Sequence, residues 1–480
     1  MTEIPPNIAE ELSDPMPKQK IWDNGLFIFL LLGNIVLGII IWYLVRILSV
    51  QIPQVFVQMP YQPANIVVDA NNLKGKMNPF WLGFAQGGEE FGGMLESTVG
   101  KMKALRPSYI RMDHIFDDDY YAVVSGSSGN LSFDFSKLDV QVDAILAMGA
   151  KPFFSLGYMP KALADSKIDA PRNWDDWQSL VRATVEHYSG KAGKNISGVY
   201  YEVWNEPDLE SFGKWTRGGD KNYLTLYENA ARGAQTAKDV NSFFIGGPAT
   251  TDLYRNWTMD LYNFCGSHGL RLDFLSWHSY TTDVSRYSGY IADLYSWFGT
   301  SPMPRLVISE WGPTPEKSNS YSGIFAATHA FAAVRQLLDL VNLTTVFEIK
   351  DGPGQGNSGW GLLSHDTAGL TTKPRYQAFS WLAQVQGERI YMTGEGSNVT
   401  GWGTRDGDKI TVYLVNYGPG AASEAVPVEI TGLSDGNWDV MREVMFGSKS
   451  SESASAVSGS IKTTLDLGSN QVGRVVLTKI

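Results

Sequence analysis

Residues 199–208 read VYYEVWNEPD, a short apolar run that ends abruptly in polar residues. The run is rich in aromatic and β-branched residues, and both faces of an extended chain would be largely apolar here. It therefore predicts a strand that is buried on both faces, as in a parallel sheet. The polar residues from Asn205 onward then lie at the carboxyl end of this strand.

Seven further runs of this kind occur, each short and bounded by turn residues. They are Phe80–Phe84, Tyr109–Met112, Pro152–Leu156, Phe243–Ile245, Phe274–Trp277, Leu306–Ser309 and Thr345–Ile349. Between them, apolar residues recur every three or four positions, which predicts helices. These stretches are Leu138–Met148, Trp174–Tyr188, Tyr223–Ala237, Met259–Phe264, Ile324–Leu340 and Tyr376–Val385. Eight strand–helix units over roughly 250 residues predict a (β/α)8 TIM barrel, with a doubly wound open sheet as the alternative.

The composition changes after about Gly387, where Thr, Val, Ser and Gly become frequent. Alternating runs such as 410–415, ITVYLV, are separated by turn signals and predict a small β-sandwich. We therefore expect a catalytic barrel over 78–386 and a β-sandwich over 387–480. Residues 49–77 are expected to form a linker with a strand near Asn65–Ala70 that could add to the β-sandwich.

The N-terminal part contains an uncharged apolar run, GLFIFLLLGNIVLGIIIWYLV, at 25–45. Its length is close to the ~20 residues that cross a bilayer, so residues 25–48 are predicted to be a transmembrane anchor. A buried core helix and a cleaved signal peptide are the alternatives. Lys18 and Lys20 precede the run, whereas only Arg46 follows it closely, which favours a single-pass protein with its N-terminus inside. Residues 1–24 would then be a disordered cytoplasmic tail, with the barrel outside the cytoplasm.

Charge and cysteine content exclude several classes of site. The formal net charge is −11, which disfavours nucleic acid as a partner because such partners need a basic face. Cys265 is the only cysteine, so the chain has no intrachain disulfide and no cysteine-rich zinc site. The sequence also lacks His-Glu-x-x-His and phosphate-loop motifs, and we expect no metal and no cofactor.

Two glutamates end predicted strands at matching positions. Glu206 ends the fourth strand and Glu310 ends the seventh, so both fall at the carboxyl face where barrel enzymes carry their active sites. A single strand-end glutamate is more often a helix cap or a loop ion pair. Two that face one cavity provide what glycoside hydrolysis requires, a protonated carboxyl and an ionised one.

Residues 201–209, YEVWNEPDL, resemble the strand-four motif of clan A glycoside hydrolases, especially family 39. Residues 308–311, ISEW, are similar to the strand-seven motif of the same family, which includes β-xylosidases, α-L-iduronidases and bacterial exopolysaccharide hydrolases. The resemblance implies a retaining O-glycosidase with Glu206 as the general acid/base and Glu310 as the nucleophile. It also implies that Asn205 hydrogen-bonds the sugar 2-hydroxyl.

Weaker matches identify further candidate substrate contacts at other strand ends. Arg111 ends the second strand, and Asp113 stands where the family often has a histidine. His278 and Tyr280 resemble the His-x-Tyr of the clan, whose tyrosine holds the oxygen of the nucleophile. Asp351 ends the eighth strand, although Phe347 replaces the tryptophan usual nearby.

Three aromatic residues near strand ends are candidate stacking platforms for the apolar faces of sugar rings: Trp311, Trp360 and Tyr158. Packing within loops is the alternative for each of them. Together these features predict a membrane-anchored retaining glycosidase that binds and cleaves a cell-surface or extracellular polysaccharide or oligosaccharide. The alternatives are a barrel that binds glycan without catalysis and a cell-surface transglycosylase.

Overall fold

A computed structural model describes residues 60–87, 90–353 and 359–480. Its first strands are β1 (Ile66–Lys76), β2 (Gly83–Gln86), β3 (Tyr109–Met112), β4 (Val124–Ser127), β5 (Asn130–Phe133), β6 (Lys151–Leu156), β7 (Val199–Val203), β8 (Phe243–Thr250), β9 (Phe274–Tyr280), β10 (Arg305–Gly312) and β11 (Leu343–Phe347). Strands β2, β3 and β6–β11 pair in parallel with their chain neighbours and close into a barrel. The predicted barrel is thereby confirmed over the open-sheet alternative. Strands β4 and β5 form a hairpin inserted after β3.

Helices cover the outside of the barrel. They are α1 (Val99–Ala104), α2 (Ser136–Ala147), α3 (Trp174–Tyr188), α4 (Tyr223–Thr236), α5 (Arg255–His268), α6 (Ser285–Phe298), α7 (Ile324–Leu337) and α8 (Pro374–Leu382). Helix α3 has the predicted bounds because its apolar residues recur at helical spacing and Asn173 caps its first turn, accepting a hydrogen bond from the Asp175 backbone N–H at 3.0 Å. The sequence did not predict α1 and α6.

The barrel interior is packed at the amino ends of its strands. Phe153, Tyr200, Phe274, Val307 and Leu343 form a small buried cluster there. These side chains fill the lower part of the barrel, as is usual for an eight-stranded parallel barrel. Polar side chains that point inward nearer the carboxyl ends therefore face a cleft that is closed from below.

The C-terminal region forms one nine-stranded sheet. Its remaining strands are β12 (Glu388–Thr393), β13 (Val399–Asp406), β14 (Lys409–Asn416), β15 (Glu424–Thr431), β16 (Gly436–Val444), β17 (Lys449–Ala456), β18 (Ile461–Leu467) and β19 (Gln471–Lys479). The early strand β1 belongs to this sheet, between β12 and β15. Strands from both ends of the sheet contribute to a single apolar core, so the sheet curls over on itself. The predicted β-rich C-terminal domain is confirmed.

The curled sheet packs against helix α7 of the barrel. Phe331 stacks on Trp402 with ring centroids 5.7 Å apart, and Trp402 stacks in turn on Tyr413 at 5.3 Å. Arg335 adds a two-pronged pair with Glu395, at 2.6 and 2.7 Å. This mixture of buried aromatic rings and a forked ion pair fixes the sheet beside the barrel.

The predicted membrane localisation is contradicted. Over 60–480, apart from the two short gaps, no helix has both the length and the apolar character needed to cross a bilayer. The predicted anchor at 25–48 and the tail at 1–24 lie outside the described residues. We therefore correct the prediction of a single-pass protein with an extracytoplasmic catalytic domain, and no later proposal depends on it.

Candidate active site

The two candidate carboxylates meet at the carboxyl face of the barrel. Glu206 follows β7 in a left-handed backbone conformation, with φ of +42°, and its backbone N–H donates to the Ala249 carbonyl at 2.9 Å. Such conformations are uncommon for non-glycine residues and cluster at active sites. Glu310 lies within β10 and is buried. One oxygen of each carboxylate lies within 4.8 Å of the other.

Arg111 connects the polar residues around this pair. Its guanidinium is fully buried and donates from Nε to Glu202 Oε2 at 2.7 Å, from Nη1 to Glu310 Oε1 at 2.9 Å, and from Nη2 to Asn205 Oδ1 at 2.7 Å. Nη1 also contacts Asp113 Oδ1. Burial alone would lower the pKa of Arg111, but Asp113, Glu202 and Glu310 together raise it. The planar guanidinium of Arg111 therefore holds the side-chain oxygens that accept from it close to one plane.

The second oxygen of Glu310 is held from β9. The Tyr280 hydroxyl donates to Glu310 Oε2 at 2.7 Å. Burial, followed by the nearby charge of Glu310, raises the pKa of Tyr280 well above its ordinary value, so the hydroxyl keeps its proton and remains a donor. Glu310 is thus held through both oxygens, which orients its carboxylate toward the cleft.

His278 lies between the two carboxylates. Its Nδ1 is 2.9 Å from Glu206 Oε1 and 3.6 Å from Glu310 Oε2. Burial acts to lower the pKa of His278, but the charges of Glu310 and Glu206 outweigh it, and the pKa is raised. A protonated imidazole here balances part of the negative charge that the two carboxylates bring together.

An open cleft of about 690 Å³ lies above these residues. Among the predicted site residues, Asp113, Asn205, Glu206, Tyr280, Glu310 and Trp360 line the cleft. Arg111 and His278 are buried behind the lining and contact the carboxylates instead. The structure therefore brings together eight of the predicted residues around one cavity.

The other three predicted residues, Trp311, Tyr158 and Asp351, do not line the cleft, which corrects the expectation that they contact substrate. Trp311 is only 1% exposed and packs edge-to-face on Phe379, so its ring is unavailable to a sugar. Tyr158 does not line the cleft; it stacks on His114 at 3.8 Å. Asp351 is fully buried, where it pairs with Lys373 at 2.5 Å.

Sequence reasoning also missed several residues of the site. Glu202 is buried beside Arg111, and its position could have been found from strand alternation, because Tyr200, two residues earlier on β7, points into the barrel interior. Phe347 lines the cleft and meets the Trp360 ring edge-to-face at 5.6 Å. The loops after β8 and β9, with the first turn of α6, add polar lining residues that carry no strand signal: Thr251, Asp252, Thr281, Asp283 and Arg286.

Within the described residues, two groups of side chains have metal-ligand geometry. In the first, Glu206, His278 and Glu310, the carboxylate oxygens of Glu310 are already engaged by Arg111 and Tyr280. In the second, Glu90, His365 and Asp366, the buried ammonium of Lys350 lies 3.1 Å from Glu90 and 2.5 Å from Asp366. In both groups, cationic or hydrogen-bond-donating side chains of the protein already bind the carboxylate oxygens, so neither group supports a metal centre.

Comparison with known proteins points to one family. Residues 64–295 match the sequence model described as Glycosyl hydrolases family 39. The chain is 28% identical over 382 residues to a β-xylosidase of Caldicellulosiruptor saccharolyticus, covering 70% of this chain and 74% of that protein. These findings confirm the resemblance predicted from the motifs of strands four and seven.

Two crystal structures share the fold. A family 39 enzyme of Xanthomonas axonopodis pv. citri superposes with a TM-score of 0.72 at 20% identity, covering 89% of this chain and all of that one. A monomeric β-xylosidase of Caulobacter crescentus also gives 0.72, at 21% identity, covering 87% of this chain and all of that one. Their likeness extends over both the barrel and the β-rich region.

Proposed function

We propose that this chain, a retaining O-glycosidase of the family 39 type, hydrolyses β-xylosides by double displacement, with Glu310 as nucleophile and Glu206 as general acid and base. One observation carries the proposal: the two carboxylates approach within 4.8 Å at the carboxyl face of the barrel. Retaining glycosidases hold their carboxyl groups about 5–5.5 Å apart, whereas inverting enzymes need a wider gap for a water molecule.

In the first step, a Glu310 oxygen attacks the anomeric carbon while the bond from that carbon to the leaving oxygen breaks. Glu206 transfers its proton to the leaving oxygen, so the aglycone departs as a neutral alcohol. The sugar is left as an ester on Glu310. Arg111 and Tyr280 hold the Glu310 carboxylate through its two oxygens, which supports an attack from a fixed direction.

In the second step, Glu206, now ionised, removes a proton from a water molecule. The water oxygen bonds to the anomeric carbon, the ester bond to Glu310 breaks, and both carboxyl groups return to their starting states. His278 Nδ1 lies 2.9 Å from Glu206 Oε1. We assign it as a positioning residue that holds Glu206 toward the leaving oxygen.

Asn205 is proposed to bind the sugar 2-hydroxyl. Arg111 donates to its Oδ1, which fixes the amide so that Nδ2 remains to donate to a hydroxyl in the cleft. Hydrogen bonds at this position strengthen in the transition state of glycoside cleavage. Asp113 lines the cleft beside it and is proposed as a second hydroxyl contact.

The relatives and the cleft support the proposed substrate class. The Caldicellulosiruptor relative is described as a β-xylosidase, and the Trp360 and Phe347 rings give the cleft an apolar wall for a pyranose. The expectation of a cell-surface polysaccharide rested on the predicted anchor. With that prediction corrected, we propose β-linked xylosides and xylo-oligosaccharides as substrates instead.

Initial rates on an aryl β-xyloside and on xylobiose test this function. Glu310→Gln should abolish turnover of both substrates. Glu206→Gln should lower kcat on xylobiose by about 10²- to 10⁴-fold, and less on an aryl xyloside whose leaving group needs no proton. Glu228→Gln is the matched control, since Glu228 lies on α4, forms an i,i+4 ion pair with Arg232 and does not line the cleft. Near-wild-type turnover of xylobiose by either cleft variant would refute the assignment.

A further inference from the structure

A second cavity, of about 700 Å³, lies between the barrel and the nine-stranded sheet. Its lining comes from the loop after β9 and the start of α6, from helix α7, from the start of β13 and from the turns that follow β12, β14 and β18. We propose that this cavity binds uncharged sugar units of an oligosaccharide whose scissile end occupies the catalytic cleft. The inference rests on the proposed function and extends it to longer substrates.

The lining chemistry selects an uncharged, hydroxyl-rich ligand. The residues that line the cavity include three amide side chains, several hydroxyl groups and two aromatic rings, with no lysine, arginine or histidine among them. Asp283 is the one ionisable carboxylate of this lining. Phosphorylated or carboxylated ligands would meet no cationic partner here. Amides, hydroxyls and an aromatic wall are the groups that pair with sugar hydroxyls and stack on sugar faces.

Two of the amides are available to a ligand. The side chains of Gln336 and Asn398 are half-buried and form no hydrogen bond with other residues in the described part of the chain. Each offers one acceptor and two donor hydrogens. Gln336 comes from helix α7, whereas Asn398 comes from the turn before β13, so the two amides approach the cavity from the barrel and from the sheet.

An aromatic wall is already in place beside them. The rings of Phe325 and Tyr417 lie 5.6 Å apart and are tilted by 35°. The Tyr417 hydroxyl donates to the Thr282 carbonyl at 2.7 Å, and its backbone N–H donates to the Asn398 carbonyl at 3.0 Å. Because Tyr417 is tied at both ends, its ring is fixed before any ligand binds, which lowers the entropic cost of binding.

The second cavity adjoins the catalytic cleft across one loop. Thr281 and Arg286 line the cleft, Thr282 and Ser285 line the second cavity, and Asp283 lines both. Ser285 donates to Asp283 Oδ1 from its backbone N–H and from its hydroxyl, at 3.0 and 2.7 Å. Oδ2 is therefore the atom left to accept from a sugar hydroxyl where a chain crosses the loop.

The test compares substrate lengths. We would measure kcat/KM for an aryl β-xyloside and for linear xylo-oligosaccharides from the disaccharide to the hexasaccharide, using wild type and the double variant Gln336→Ala/Asn398→Ala. Loss of two hydrogen bonds should lower kcat/KM on the longer oligosaccharides by about 5- to 150-fold. Activity on the aryl xyloside should stay within about twofold, since neither residue lines the cleft.

Two controls make the outcome decisive. Gln377→Ala removes a half-buried amide on α8 that lines neither cavity. This variant should leave kcat/KM unchanged on both the aryl xyloside and the oligosaccharides. Phe325→Trp keeps the aromatic wall and should preserve the length dependence that Phe325→Ala loses. Unchanged kcat/KM on the hexasaccharide in the double variant, with normal aryl-xyloside turnover, would overturn the second site alone. If the wild type did not turn over the aryl xyloside, both the proposed function and this inference would be refuted.

Discussion

Replacing Tyr280 with phenylalanine removes one oxygen atom and leaves the ring in place. The lost hydroxyl donates to Glu310 Oε2 at 2.7 Å, while Arg111 still holds Oε1 at 2.9 Å. We therefore expect the carboxylate to remain in the site but to lose one of the two bonds that orient it. The proposed attack on the anomeric carbon needs that orientation, so the variant should bind substrate but react slowly.

The size of the effect follows from the bond that is lost. A hydrogen bond to a charged group stabilises by about 1.5–3 kcal/mol. If this free energy selects the productive orientation, its loss lowers the reactive fraction by about 10- to 150-fold. The predicted result is a fall of that size in kcat on an aryl β-xyloside with KM changed by less than about threefold.

The matched control is Tyr287→Phe. Tyr287 is also a buried tyrosine, but its hydroxyl donates to the Ser279 carbonyl at 3.4 Å and contacts neither carboxylate. This variant should keep its kcat and lose at most about 1 kcal/mol of unfolding free energy. Equal kcat in Tyr280→Phe and wild type, or equal losses in both variants, would refute the orienting role of Tyr280.

Three further predictions concern stability and reactivity. Burial acts to lower the pKa of His278, but the charges of Glu310 and Glu206 raise it in the folded state, so its contribution to stability is full below about pH 6.5 and is lost as the pH rises through the folded-state value. In urea unfolding, the difference in unfolding free energy between wild type and His278→Gln should shrink as the pH rises. A difference that stays constant or grows with rising pH would contradict this. Burial raises the pKa of Cys265 to about 12, so a thiol reagent at pH 8 should label native protein slowly and unfolded protein fully; rapid native labelling would contradict the buried placement. Phe331→Ala should cost about 3–5 kcal/mol of unfolding free energy by emptying the space beside Trp402, and a cost below about 1 kcal/mol would count against that packing.

The sequence predicted the barrel because a parallel barrel leaves a repeated local signal. Each strand is a short apolar run, and each predicted run overlaps an observed barrel strand, although Phe243–Ile245 is observed as Phe243–Thr250. Helix α6 was missed because its apolar residues include tyrosines and a tryptophan spaced among serines and glycine. The strand β1 lies far from its partners in sequence, yet the strand expected near Asn65–Ala70 does join the C-terminal sheet; only its partners, β12 and β15, required the folded chain.

The site was predictable where chemistry and strand position coincide. Glu206 and Glu310 end strands of the same barrel, so their proximity followed from topology. Trp311 shows the limit of this reasoning: because neighbouring side chains of a strand point to opposite faces, the residue after inward-facing Glu310 packs into the helical layer. Asp351 also ends the strand region, but the buried ammonium of Lys373, distant in sequence, makes it an ion-pair residue.

The second cavity could not be inferred from sequence patterns. Its walls come from segments more than 100 residues apart, around 282–285 and 397–419, which meet only when the curled sheet packs on α7. Tyr417 looks like an ordinary turn residue in the sequence. Its hydrogen bond to the Thr282 carbonyl is what joins the two regions.

Trapping the glycosyl-enzyme would identify the nucleophile and show that the reaction proceeds by double displacement. A 2-deoxy-2-fluoro-β-xyloside with a good leaving group should react once per molecule, since the fluorine slows the second step more than an activated first step. Intact-mass and peptide analysis should then find the fluorosugar esterified to Glu310, and Glu310→Gln should acquire no label. A label on any other residue, or continued hydrolysis with no covalent adduct and inverted product stereochemistry, would contradict the account.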